Sequence, residues 1–435
     1  MISRPADPGI ARLLPDVVVL GGGVAGSMAA VAAARAGAAV LLIERYGFLG
    51  GNATAGAVAQ FNSWQTAGGR CVVAGLAQEV VERLTAYGGA RPHQTFVMST
   101  GHAMDRVEYA PEVLKLVLDD MLVGAGVELL LHAVLGDVEV EGRRIRALRV
   151  LTKSGALTVT PRVVIDASGD LDAMHRAGAA FLELQTGESL QPATMMFRYG
   201  PIDFDLFDTI APQERAALAQ RGFAAGKLAR AALHASRDPF TADAWFNISR
   251  LAVDATDPFA LSAAEIEGRR QAWRAASYLR EQVPGCAAGH LLAFATQAGV
   301  RETRRVAGDH VLTADELRAP TAFTDAIAAG AYPIDIHPVA GAGLTYEELG
   351  ADHAYRIPYR SLIPRGLDNA LVAGRGISAT HEALAAIRVM TISMAVGQAA
   401  GSAAALAARD NAAAVRHVSV DQLRAMLLDA GAILA

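Results

Sequence analysis

Three glycines, Gly21, Gly23 and Gly26, follow an apolar run (DVVVL, 16–20) in the order G-x-G-x-x-G, and an acid, Glu44, stands 18 residues after the last of them. Residues of these types at this spacing can hold a dinucleotide. The first glycine permits a tight turn, the second lets a diphosphate touch the backbone, and the third lets helix and strand pack closely. Ala25 lies inside the motif, at the start of a segment with the alanine content of a good helix. Helix N–H groups and the helix dipole stabilise diphosphate charge there. A carboxylate at Glu44 can accept both ribose hydroxyls of an adenosine. The motif alone does not separate NAD from FAD. Arg45 comes next, and then a second glycine-rich loop, YGFLGGNATAG (46–56). An NAD domain needs no second cradle at that point, whereas the longer, extended FAD does.

Other residues with chemical potential lie far downstream. His381 and Glu382 occur in SATHEA, and His337 follows Asp335 in PIDIHPV. Histidine titrates near neutral pH, so it can take or return a proton, or it can simply hydrogen-bond cofactor or backbone. Arg301, Arg304, Arg305 and Arg388 can clamp a carboxylate bidentately; pairing with Glu302, Asp309 or a diphosphate is the commoner use of such side chains. No H-E-x-x-H, paired-cysteine or histidine-cluster metal motif is present, nor a G-x-S-x-G elbow or Walker loop.

The elements that must position these residues can be read from the hydrophobic pattern. Residues 16–20 and 39–43 read as strands around a helix at 24–37, a βαβ unit. A helix with Pro111 in its first turn is expected over 111–126, then a strand at 127–131. Strands at 134–140 and 144–152 are joined by the turn EGRR, and a third is expected at 157–165, ending in a Gly-Asp turn. From about 181 to 354 glycine-motif turns vanish and helical patterns such as 263–283 dominate; near 355 the first texture returns. The chain therefore reads as an α/β fold: a Rossmann-like domain with a central parallel sheet, split into 14–180 and 355–435, and an inserted mixed α+β substrate domain at 181–354.

Composition bounds the rest. The 435 residues are 52% hydrophobic and 19% charged, with a formal net charge of −5, which suits a large buried core and offers no basic stripe for nucleic acid or an anionic membrane. Two cysteines, Cys71 and Cys286, without a C-x-x-C pair suit a reducing, cytoplasmic setting and provide no redox dithiol. The N-terminal residues lack the apolar core of a secretory signal. The charge-free segment 389–408 contains Gly397-x-x-x-Gly401 and has the length of a membrane span. It is Ala-rich, carries Gln398 and has no aromatic ends, so it reads as a buried helix and no membrane span is expected.

The βαβ unit with its second glycine loop, RETRRVAGDHVLTADEL (301–317), FTDAIAAGAYPIDIH (323–337) and YRIPYRSLIPRGLDNALVAGRGISATHEALAAIRVMTISMAVGQAAG (355–401) together resemble the FAD-dependent oxidoreductase family of the glutathione-reductase-like flavoprotein superfamily. The resemblance covers most of the chain. It implies FAD as cofactor, with Gly21, Gly23 and Gly26 at the diphosphate, Glu44 at the adenosine ribose, and Gly50, Gly51, Asn52 and Ala53 along diphosphate and flavin edge. It further implies that Val134 meets the adenine through its backbone. Ala167, Ser168 and Gly169 would form a turn near the cofactor, and Gly374 and Arg375 would sit by the ribityl chain. The helix starting near Val389 would aim its N-terminus at the flavin pyrimidine, where it can stabilise the negative charge of a reduced flavin. By the same resemblance His381 and Glu382 lie near the isoalloxazine, with His337 and Arg388 as further catalytic candidates. Many members have cysteine where this chain has Gly376, so a thiol role there is absent. The implied activity is hydride transfer between a small organic substrate and flavin N5, the electron partner being NAD(P)H, oxygen or a redox protein. A flavin monooxygenase and an FAD-dependent RNA-modifying or assembly protein are the alternatives; the acidic balance weighs against the latter.

Overall fold

The computed structural model describes residues 12–97, 103–319, 321–341, 345–409 and 414–434. Its central sheet consists of β1 (Val17–Leu20), β2 (Val40–Ile43), β3 (Glu128–Leu130), β4 (Val163–Asp166) and β5 (Ala370–Val372). The spatial order is β5-β4-β1-β2-β3, and every pairing is parallel. β1, β2, β4 and β5 are unbroken apolar or nearly apolar runs that are buried throughout. Strands covered on both faces need that pattern. Successive connections leave β1 toward β2 on one side and β4 on the other, so the end of β1 is where the strand order reverses. Ligands of doubly wound sheets bind at that point, and Gly21–Gly26 occupy it here.

Helix α1 (Val24–Arg35) follows β1, and α2 (Pro111–Gly124) precedes β3. Both end two residues before the expected limit, at turns where Gly37 and Gly126 take positive φ, a normal helix stop. The strand expected at 157–165 is two strands. Gly155–Val159 pairs antiparallel with Arg144–Thr152 in a side sheet, while β4 joins the parallel sheet. Pro161 lies between them and lacks the N–H that a continuous ladder needs. The long helix expected at 263–283 is α3 (Pro258–Gln282); Asp257 caps it by accepting from the Phe259 and Ala260 amides.

A second apolar core draws on residues 193–300 together with Ala57 and Ala59. It lies around an antiparallel sheet of Phe197–Gly200, Ala235–Arg237, Ala244–Phe246 and His290–Phe294, and α3 contributes Ala272, Ala275 and Leu279. Residues 312–354, expected within the insertion, place apolar side chains such as Leu317, Ile327 and Ile334 in the first core instead, alongside those of 355–363.

The C-terminal segment supplies α4 (His381–Ile387) and α5 (Met390–Arg409). The most apolar stretch of α5 is 89% buried, in keeping with the core-helix reading. Its glycines make the reason plain. A Cβ on Gly397 would stand 2.1 Å from the carbonyl oxygen of Ala25, and one on Gly401 2.0 Å from that of Ala29. The G-x-x-x-G pattern is therefore the seam along which α5 packs on α1. Gln398, the largest of its buried polar side chains, accepts from the Leu76 amide at 2.9 Å and so satisfies the start of the helix Leu76–Ala86.

Replacing Gly401 by valine should force α1 and α5 apart. Overpacking of this kind costs roughly 1–3 kcal/mol, and backbone contact places Gly401→Val at the upper end. Urea denaturation checks it; a loss below about 0.5 kcal/mol would show that the seam can open freely.

Candidate active site and cofactor cradle

The glycines of the first loop serve two different needs. A Cβ on Gly21, whose φ is +96°, would meet the Ala167 carbonyl oxygen at 2.5 Å, and one on Gly26 would meet the Gly21 carbonyl oxygen at 1.9 Å. Both are glycine because protein backbone already fills the space. Gly23 differs: the nearest atom to its missing Cβ is Gly51 Cα at 3.9 Å. Nothing among the described residues demands glycine there, whereas close approach of a diphosphate does. The second loop closes on the first, with the Gly50 amide donating to the Gly22 carbonyl at 2.8 Å and Gly51 at positive φ. Asn52 donates to the Val300 carbonyl at 2.9 Å, tying the cradle to the second core, while buried Ala53 offers its carbonyl to the Tyr109 hydroxyl.

Glu44 is buried against this cradle. Its Oε2 accepts from the Gly22 amide at 2.7 Å and its Oε1 from the Tyr46 amide at 2.9 Å. Each carboxylate oxygen keeps further acceptor capacity. Val134 has an exposed side chain, and the adjoining Ala133 amide donates to the Glu44 carbonyl, so the start of that strand runs beside the acid. Arg45 reaches across to Gln297 at 2.7 Å.

The turn after β4 completes the wall. The Ala167 amide bonds the Leu20 carbonyl, and Ser168 is held by Asp166. Gly169 has φ +89°, and a Cβ on it would meet Arg375 Nη2 at 2.5 Å. Gly374, at φ +81°, packs on Ala25. Arg375 donates through Nη2 to Asp170 at 3.1 Å, but its Nη1 is buried without a protein partner. A cavity of about 510 Å³ opens here, lined by Arg45, Asp170, Gln297, Arg304 and Arg375 among others. The open Gly23 position and the orphaned Arg375 nitrogen fit a phosphate-bearing cofactor. α5 begins at Met390, one residue after Val389, and Thr391 in its first turn bonds the Asn62 carbonyl. At Gly376 a Cβ would collide with the Leu171 side chain at 2.3 Å, so that position is filled by a leucine rather than left for a thiol. Asp170 is a site residue that the sequence reading passed over; its signal was an acid directly after Gly169.

The catalytic candidates separate in the fold. The Nδ1–H of His381 donates to Glu302 at 2.9 Å, since a carboxylate can only accept. Glu302 is wholly buried, and it also pairs with Arg305 and accepts from the Gln191 amide. Gln191 Oε1 in turn accepts from Arg388 at 3.1 Å and from the His337 amide at 3.4 Å. His337 Nε2 stands 3.3 Å from Asp335, which also accepts from Tyr332. One buried residue, Gln191, therefore joins His381, His337 and Arg388 into one cluster, and nothing in the sequence marks it. Glu382 does not belong to it. Half-exposed, it faces Arg318 at 3.4 Å, because neighbouring helix positions point about 100° apart. Arg304 and Arg305 are structural: Arg304 bonds the Asp170 carbonyl and Arg305 the Ala379 carbonyl. Among the described residues no cluster of metal-ligating side chains occurs.

Burial and the positive charge of Arg301 push His337 down to about 3. Burial works against the charge of Asp335, but its bond to His337 and the Arg388 and Arg301 guanidiniums hold it ionised, below the ordinary carboxylate range. His234, buried with its Nε2 3.2 Å from Gln60 Oε1, is also pushed down to about 3 by burial, Arg106 and Arg230.

Residues 16–427 match the family model described as FAD dependent oxidoreductase. The chain belongs to that family. FAD is accordingly its cofactor, and the protein is an oxidoreductase with an α/β, Rossmann-type fold. Comparison with curated proteins finds no match. Among solved structures it is similar to a geranylgeranyl bacteriochlorophyll reductase-like protein from Thermoplasma acidophilum (12% identity, 97% of this chain and 83% of that one, TM-score 0.48). It is also similar to an L-proline dehydrogenase from P. horikoshii (12%, 98% and 100%, 0.45) and a p-nitrophenol 4-monooxygenase from Pseudomonas putida (12%, 97% and 81%, 0.45).

His234 and His337 stay neutral in the fold, whereas in the unfolded chain they bind protons near pH 6.5. Below that pH the unfolded state holds more protons, so stability falls with acidification, by up to about 1.4 kcal/mol per pH unit for each histidine until the folded groups protonate. Urea midpoints of wild type and His234→Gln between pH 7 and 5 test this. The variant should show a shallower acid slope; equal slopes would mean that His234 already protonates in the native protein.

Proposed function

We propose that this family member holds FAD between its two glycine loops and the second core, and passes a hydride between a small organic substrate and flavin N5. We place it within the glutathione-reductase-like group of flavoproteins, with the ends of the chain forming the FAD unit and the inserted segment the substrate side. The observation that carries the reading is the cradle: Gly23 is open where no protein atom requires glycine, and Arg375 Nη1 is orphaned beside the same cavity.

In this proposal Gly21, Gly23 and Gly26 hold the diphosphate, and Glu44 takes the ribose while fixing the loop through Gly22. Gly50–Ala53 line the flavin edge; Val134 borders the adenine. Ala167–Gly169, Gly374 and Arg375 line the opposite wall, with Asp170 added to them. When bound, the flavin supplies the two-electron chemistry. The protein then has to orient the substrate and move a proton. Glu302 fixes the His381 tautomer, leaving Nε2 as the basic nitrogen, and Nε2 has no hydrogen-bond partner among the described residues. A base oriented by a buried carboxylate is the arrangement that proton transfer needs. Arg388, joined to the same cluster through Gln191, is the nearest candidate for substrate orientation.

The purified protein should show oxidised-flavin absorption and release FAD, not FMN, on denaturation; release of NAD, or failure to take up FAD, would sink the reading. Glu44→Ala should weaken FAD retention, each lost charge-assisted hydrogen bond costing at most about 1.5–3 kcal/mol; unchanged affinity in a titration would place the ribose contact elsewhere.

His381→Ala should slow substrate-driven flavin reduction by roughly 10²–10⁴-fold while FAD stays bound. Stopped-flow reduction normalised to flavin content reads this. A rate within about threefold of wild type, with FAD occupancy reduced, would assign His381 to cofactor positioning instead.

A further inference from the structure

The cluster around Gln191 carries more positive charge than the described residues balance. Arg230, Arg301 and Arg388 come from three distant parts of the chain, and each contacts neutral partners. Arg230 lies 3.4 Å from the Asn247 side-chain oxygen. Arg301 donates to the Pro192 carbonyl and Thr194 hydroxyl at 2.6 and 2.7 Å, and Arg388 to Gln191 and the Asp335 carbonyl. None of the three makes a carboxylate ion pair among the described residues. Arg301 and Arg388 bond the adjacent residues Pro192 and Gln191, Arg388 and Arg230 both oppose the charge of Arg301, and Arg250 opposes that of Arg230. Asp335 is the one carboxylate that attracts them, and it is shared with His337 and Tyr332.

Such an arrangement is costly unless something completes it. Buried cations are normally paired, and isolated desolvated charge is strongly unfavourable. The hydrogen bonding is incomplete in the same place. Gln191 Nε2, Asp335 Oδ1 and Arg388 Nε are buried without partners, although Gln191 and Asp335 are only 1% and 3% exposed. Arg301 sits among these groups and is itself only partly buried. Gln191 Nε2 and Arg388 Nε are donors that lack acceptors, and the three guanidiniums lack an anion of their own. Together they point to an oxyanion, while Asp335 Oδ1, an acceptor, calls for a separate donor such as a water or a substrate hydroxyl. Guanidinium forks match a carboxylate in two parallel hydrogen bonds. Nearby His337 remains neutral and offsets none of the surplus.

We propose that Arg230, Arg301 and Arg388 form the binding site for a carboxylate of the substrate, so that the enzyme acts on a small organic acid. The proposal rests on reading the cluster as the substrate side of a flavin oxidoreductase. Burial and the neighbouring arginines push Arg301 down to about 9 and Arg230 down to about 10. Both stay charged at neutral pH, and an anion would relieve the strain between them. Phosphate would answer the same charge; the planar forks and the surplus already partly offset by Asp335 favour the smaller-charged carboxylate.

The test uses the purified holoprotein and calorimetric titration with mono- and dicarboxylates of two to six carbons, benzoate, the matching neutral amides and inorganic phosphate. A carboxylate should bind at least tenfold more tightly than its amide and than phosphate. Arg388→Met, Arg301→Met and Arg230→Met should each weaken that binding at least tenfold. Because each removes a repelling charge, each variant should be as stable as wild type or more so without ligand. Purely structural arginines would give the opposite, lower stability with no anion selectivity to lose. Binding by none of the carboxylates, equal binding of acid and amide, or tighter binding of phosphate overturns the proposal. The wild-type panel decides the matter even if a variant fails to fold. Flavin content is read separately by absorption: a protein without flavin that still selects carboxylates would refute the flavin reading alone, and a flavin-replete protein without selectivity this proposal alone.

Discussion

Backbone meeting backbone between α1 and α5 is the constraint on which the rest of the molecule depends. Gly397 and Gly401 let α5 rest on the carbonyls of Ala25 and Ala29, and α1 in turn begins at the loop that carries Gly21, Gly23 and Gly26. Any side chain at the seam would tilt one helix away from the other. Because the close approach fixes where α5 starts, it also fixes Thr391 against Asn62 and the preceding Arg388 against Gln191. A backbone contact between two helices thus sets the distance between the glycine loops and the cluster around Gln191. Interiors packed at crystal-like density transmit such displacements rather than absorb them.

The site itself is organised by shared acceptors. Glu302 serves His381, Arg305 and the Gln191 amide, and Gln191 serves Arg388 and His337. Each acceptor draws together residues from different parts of the chain, so the cluster is defined only by the complete fold. Buried networks of this kind strengthen when fully satisfied and weaken sharply when a member is lost. The protein tolerates the imbalance around Arg301 because its neighbours, Pro192 and Thr194, supply neutral acceptors that fix the guanidinium without cancelling its charge.

What the sequence revealed follows from how local each signal is. β1, the glycine loop and Glu44 lie within one βαβ unit, so spacing alone orders them. The turn at 167–169 was legible through resemblance, yet Asp170 beside it was not, since an exposed loop acid has the same local appearance. His381 and Glu302 lie in separate blocks, and no periodicity links them. Arg301, Arg304 and Arg305 sit within five residues of each other and look alike as letters, but only the fold separates Arg304 and Arg305, which face the carboxylates of Asp172 and Glu302, from Arg301, which meets a carbonyl and a hydroxyl. The break at Pro161 was readable and was overridden by the apolar run around it. Residues 312–354 show why texture misplaces cores: they read as part of the insertion, but apolar side chains such as Leu317, Ile327 and Ile334 belong to the core that holds α1 and α5.

The seam between α1 and α5 has a consequence for biosynthesis. α1 leaves the ribosome early, while the surface it must cover is encoded some 370 residues later. At 5–20 residues per second that interval is roughly 20 s to over a minute. Throughout it the alanine face of α1 has no permanent partner, and the wall formed by Gly374 and Arg375 does not yet exist. The cavity beside Arg375 therefore has both its walls only after residues 374–401 have been made.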